Sequence, residues 1–93
     1  MKTPELVNFR IDGVELAVRL AGARDKPALL LVHGFPSSSK SFRNVMDVLA
    51  RDCFVVAPDL PGFGGSEPMA QPSFSRYADL LRGLLSQLAV DSF

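Results

Sequence analysis

A chain of 93 residues is long enough for one small domain and too short for two. Hydrophobic residues make up 47%, enough to pack a core, while ten basic side chains balance ten acidic ones, which excludes the basic field that nucleic acid or an anionic membrane surface requires. The start, MKTPELVNFR, has no long apolar run, so neither a signal peptide nor a membrane span is expected there.

Residues 7 to 20 read as a hairpin. Val7, Phe9 and Ile11 alternate with polar residues, as do Val14, Leu16, Val18 and Leu20. Asp12-Gly13 between them suits the positive φ angles of a tight two-residue turn. After the polar stretch AGARDKP comes a third strand, residues 28 to 33, apolar up to its closing histidine as a parallel strand covered on both faces would be. Phe42, Val45, Met46 and Leu49 follow the period of a helix. A short apolar strand, CFVVAP, comes next, and Cys53 at its start is expected to be a buried, inert thiol. It is the one cysteine, so it forms no internal disulfide, which fits a cytoplasmic protein. Phe74, Tyr77, Ala78, Leu81, Leu84, Leu85 and Leu88 then trace a second helix with Ser73 as its N-cap. The alternation after the hairpin predicts an α/β fold with parallel strands joined by right-handed crossovers.

The stretch LLLVHGFPSSSKSF, residues 29 to 42, sits where a strand runs into a helix, and two chemistries compete for it. Gly34 to Ser41 nearly spells the phosphate-cradling G-x-x-x-x-G-K-[ST], which would make the chain a nucleotide-binding module. Ser39 stands where that loop needs its second glycine, Pro36 removes a backbone N–H, and no Asn-Lys-x-Asp exists to read guanine. An oxyanion loop fits better. Gly34 permits a sharp exit from the strand, Phe35 keeps its N–H, and Pro36 restricts the conformation of Phe35, leaving one oriented donor.

Two signatures, His33-Gly34-Phe35-Pro36 and Asp59-Leu-Pro-Gly62-Phe-Gly64-Gly-Ser66, in this order and with a helix between them, resemble the N-terminal part of an α/β-hydrolase over roughly residues 13 to 93. The His-Gly-x-Pro spelling is similar to the branch of epoxide hydrolases and dehalogenases. The resemblance implies that Phe35 supplies an oxyanion-hole N–H, with Gly34 and Pro36 beside the substrate. It implies that His33 is structural, and that the Phe35–Pro36 bond is cis. It also implies an Asp nucleophile, or a Ser nucleophile in the esterases and lactonases that share the scaffold. Some haloalkane dehalogenases carry a halide-binding Asn where Phe35 stands here, which turns the expectation toward an epoxide or fluoroacid. Asp59 is expected to fix the turn after the fourth strand, with Gly62 and Gly64 supplying permissive φ.

A triad cannot be assembled from what is present. His33 is the only histidine, and no serine lies in G-x-S-x-G; Gly64-Gly65-Ser66-Glu67-Pro68 comes nearest. In the family the nucleophile elbow follows the strand after the second helix, and that strand is due where the sequence reads LAVDSF. Residues 1 to 93 are therefore expected to be an incomplete α/β-hydrolase core, with an antiparallel hairpin followed by parallel β-α-β-α, inactive alone. No cofactor and no metal ion is expected, and the substrate of the complete enzyme is expected to be a small molecule. A non-catalytic interaction module on the same scaffold stays open beside the nucleotide binder. The family's sheet order leaves the third strand as an open edge, so self-association through residues 28 to 33 is expected.

Overall fold

The computed structural model describes residues 4–34 and 42–93. β1 (Glu5–Ile11) and β2 (Val14–Ala21) pair antiparallel, from Glu5 opposite Leu20 to Ile11 opposite Val14. Asp12 (φ 49°) and Gly13 (φ 80°) both take positive φ, the requirement of the tight turn expected of Asp-Gly. β2 then pairs antiparallel with β4 (Phe54–Pro58), and β4 pairs parallel with β3 (Ala28–Leu30). The order across the sheet is β1-β2-β4-β3, so β3 is an edge among the described residues.

One helix covers each face. α2 (Phe74–Gln87) sets Leu80 and Leu84, with Leu88 just past its end, into a core of Ile11, Leu16, Val18, Phe54 and Val56. α1 (Arg43–Leu49) sets Met46 against Val55 and Ala57 on the other face. β4 lies between these layers and is buried along its whole length, which accounts for its unbroken apolar sequence. Ser73 caps α2, its Oγ accepting the Arg76 N–H at 3.1 Å. The other end closes with Ala89 N–H donating to Ser86 O (3.0 Å) and Val90 N–H to Leu85 O (2.9 Å).

Three expectations need correction. The third strand ends at Leu30, although Leu31 N–H still donates to Val56 O at 2.9 Å. Its three residues are only half-buried, and Val32 beyond them is exposed, because neither face is fully covered at this edge. The apolar stripe of α2 is rotated: Leu80 belongs to it, whereas Phe74 is 91% exposed and Ala78 is exposed. Cys53 is half-buried, at the rim of the α1 layer where the chain enters β4.

Candidate active-site loops

β3 and β4 run parallel, so the segments that leave their C-terminal ends emerge side by side, the place where open α/β sheets put their sites. The first segment carries His33 and Gly34, the second Asp59 to Glu67. A buried imidazole ties them together. His33 Nε2 accepts the Leu60 N–H at 2.9 Å, and Nδ1 lies 3.0 Å from Gly34 O. An acceptor at Nε2 places the ring proton on Nδ1, which donates to that carbonyl. The Phe63 ring meets the imidazole edge-on, centroids 5.5 Å apart and planes at 69°. Both ring nitrogens and one ring contact of His33 thus lie between the two loops.

The second loop is built around Asp59, which is buried. Its N–H donates to Ala17 O at 2.8 Å, and its Oδ2 accepts the Gly65 N–H at 2.9 Å. Gly62 (φ 85°) and Gly64 (φ 52°) occupy the left-handed region, as expected. Gly64 has a second reason to be glycine: a Cβ there would lie 2.2 Å from Asp59 Oδ2. Ser66, also buried, accepts the Ala17 N–H at 2.9 Å and donates to Asp59 O at 2.6 Å. Glu67 N–H and Glu15 O join at 2.9 Å, and Glu67 Oε1 accepts the Glu15 N–H at 2.9 Å. The loop is stitched to β2 along its length. The sequence had offered Ser66 only as a poor nucleophile, and nothing local to it announces a bond to a residue 49 positions earlier.

Gly34 has no positive φ, and a Cβ there would meet nothing within 4 Å among the described residues, so no conformational demand for glycine is visible. Phe35 and Pro36, with the bond between them and the Ser37-to-Ser41 stretch compared with a phosphate cradle, lie outside the described residues. An open hollow of about 980 Å³ sits at the opposite end of the sheet, bordered by Leu20, Ala21, Arg24, Asp47, Ala50 and Phe54. It is formed where β4 begins, so it belongs to neither loop. Among the described residues no helix is long and apolar enough to cross a membrane.

Comparison with known proteins agrees with this geometry. A family model described as alpha/beta hydrolase fold matches residues 27–93. An uncharacterised hydrolase of Saccharomyces cerevisiae, YNR064C, is 43% identical over 84 residues, which cover 88% of this chain and 29% of the yeast protein. The haloalkane dehalogenase DbeA from Bradyrhizobium elkani superposes with a TM-score of 0.84 at 36% identity, covering 91% of this chain and 30% of its own. Epoxide hydrolase A from Mycobacterium thermoresistibile superposes with a TM-score of 0.86 at 32% identity, covering 96% and 29%. The chain therefore spans less than a third of the length of these relatives. Two loops locked together by His33 at the ends of β3 and β4, on a sheet shared with dehalogenases and epoxide hydrolases, place the chain in the α/β-hydrolase fold family.

Proposed function

We propose that these residues are the N-terminal, oxyanion-loop part of a hydrolase acting on a small epoxide, halogenated or ester substrate through a covalent intermediate, with Phe35 N–H as one oxyanion donor. The observation that carries the reading is the His33 imidazole, hydrogen-bonded to Leu60 N–H and Gly34 C=O. It fixes the Gly34 carbonyl against the Asp59 loop, at the point where the chain leaves β3 for the expected oxyanion segment. The relatives support the substrate class, since they include a haloalkane dehalogenase and an epoxide hydrolase.

In this reading the nucleophile, acid and base come from polypeptide beyond residue 93. An Asp nucleophile displaces halide or opens the epoxide to give an alkyl ester. Water attacks that ester's carbonyl, and the Phe35 N–H stabilises the oxyanion of the tetrahedral intermediate. A Ser nucleophile in an esterase would use the same donor for the acyl oxyanion. The balanced charge fits a small-molecule substrate and no nucleic-acid or membrane partner, and the lone Cys53 fits a cytoplasmic setting. A nucleotide-binding reading draws no support from the comparisons.

The test has two arms. The 93-residue chain alone is expected to show no turnover of ester, epoxide or haloacid probes above background. A chimera carrying residues 1–93 in place of the matching part of an epoxide hydrolase is expected to be active. In it, Phe35→Pro removes the N–H and lowers kcat by about 10²- to 10³-fold, whereas Phe35→Ala keeps the N–H and most of kcat. Turnover by the chain alone, or equal losses in the two variants, overturns the assignment.

A further inference from the structure

We propose that Ser66 is a positioning residue for the oxyanion donor, heading a one-way relay of hydrogen bonds that runs through Leu60 and His33 to the Gly34 carbonyl; this rests on the reading of Phe35 N–H as that donor. The relay starts at β2. Ser66 Oγ accepts the Ala17 N–H at 2.9 Å and gives its single proton to Asp59 O at 2.6 Å. That carbonyl and the Leu60 N–H belong to one peptide group. Leu60 N–H donates to His33 Nε2 at 2.9 Å, and His33 Nδ1–H donates to Gly34 O at 3.0 Å. The Gly34 carbonyl shares its peptide group with the Phe35 N–H.

Every link points the same way. Hydroxyl, peptide and imidazole each accept at one end and donate at the other, so each bond polarises the next. A carbonyl that accepts a hydrogen bond makes the N–H of its own peptide a better donor, and the last peptide of the series is the one that carries the Phe35 N–H. An imidazole with its proton on Nε2 would oppose the Leu60 N–H and break the series. Ala17, His33, Asp59 and Ser66 are all buried, which keeps water from competing at these points and strengthens each bond.

The turn after β4 is shaped to present Ser66. Asp59 Oδ2 accepts the Gly65 N–H at 2.9 Å, and Gly64 lacks the Cβ that would lie 2.2 Å from that oxygen. This close turn returns the chain to the Asp59 carbonyl seven residues later. Ala17 holds both ends of it, since its N–H reaches Ser66 and its carbonyl accepts the Asp59 N–H at 2.8 Å. A residue of β2 thus anchors a series of bonds that ends on the segment leaving β3.

NMR of the isotope-labelled chain reads the relay directly. In Ser66→Ala the Leu60 amide proton and the His33 Nδ1 proton are expected to move upfield, Leu60 by more, because the lost polarisation fades along the series. In the chimera with an epoxide hydrolase, Ser66→Ala is expected to lower kcat by about two- to tenfold with KM nearly unchanged. Ser66→Thr keeps the hydroxyl and is expected to restore both readouts. Gly83→Ala crowds Ile11 where α2 meets β1 and touches no link, so it is expected to change neither. If Ser66→Ala does not fold, Ser66→Cys, with its weak S–H donor, reads the same signals. Leu60 and His33 signals that stay in place without the hydroxyl, or that move as far in Gly83→Ala, overturn the relay. So does a parent-like kcat in Ser66→Ala while Phe35→Pro still lowers it. Equal losses in Phe35→Pro and Phe35→Ala overturn the reading of Phe35 instead, and the NMR signals tell the two failures apart.

Discussion

The Ser66 hydroxyl takes the place of a strand residue. β2 is paired to β4 as far as Val18 opposite Pro58, and one step further the ladder would stop. Instead the Asp59 N–H reaches Ala17 O, and Ser66 Oγ accepts the Ala17 N–H while donating to Asp59 O. All of these groups are buried, so none has water as an alternative. Ser66→Ala is expected to cost about 1–3 kcal/mol, because it takes the acceptor from the buried Ala17 N–H. Urea unfolding of the parent and the variant measures this, and equal midpoints would mean that water fills the gap without penalty. Part of this loop was legible beforehand: the two glycines at positive φ follow from local chemistry. The Ser66 bond was not, because a hydroxyl that substitutes for a distant strand leaves no periodic trace.

At the scale of elements, α2 shows how tertiary contact overrides pattern. The sequence period made Phe74 a core residue, yet it occupies the first position of the helix, ahead of the turns that reach the sheet, and solvent surrounds it. Leu80 takes the buried place because the Leu80-Leu84-Leu88 row, spaced by four, is the one that faces Ile11, Leu16 and Val56. The helix–sheet spacing is set by Gly83. A Cβ there would lie 2.6 Å from Ile11 Cγ2, and Ile11 is itself buried and β-branched, with little freedom to turn aside. Helix propensity alone makes Gly83→Ala stabilising by about 1 kcal/mol. The close approach reverses the sign: the variant is expected to be less stable by about 1 kcal/mol or more, since overpacking a filled core typically costs about 1–3 kcal/mol. Chemical denaturation distinguishes the two, and a gain in stability would show that α2 can lift from β1 freely. β3 teaches the complementary lesson. An apolar run marks where a strand is able to form, but its length depends on the neighbours that pair with it and cover it, and among the described residues β3 pairs with β4 alone.

At the scale of the whole molecule, the chain is as compact as its length allows, and its surface is slightly larger than its mass implies. Its radius of gyration, 12.4 Å, matches the roughly 12.3 Å typical of a folded chain of this length. Its accessible surface, 5654 Å², exceeds the roughly 5,300 Å² usual for its mass. Protection from exchange should therefore fall sharply from the middle of the sheet to its β3 edge, because local opening is easiest where few apolar contacts hold the backbone. Amide hydrogen exchange resolves this at adjacent residues. Leu31 N–H is bonded to Val56 O, while strand alternation is expected to turn the Leu30 and Val32 N–H away from β4. In dilute solution Leu31 is expected to exchange more slowly than Leu30 and Val32, and the buried β4 amides more slowly still. Equal protection of Leu30, Leu31 and Val32 in dilute solution would mean that the chain covers its own edge.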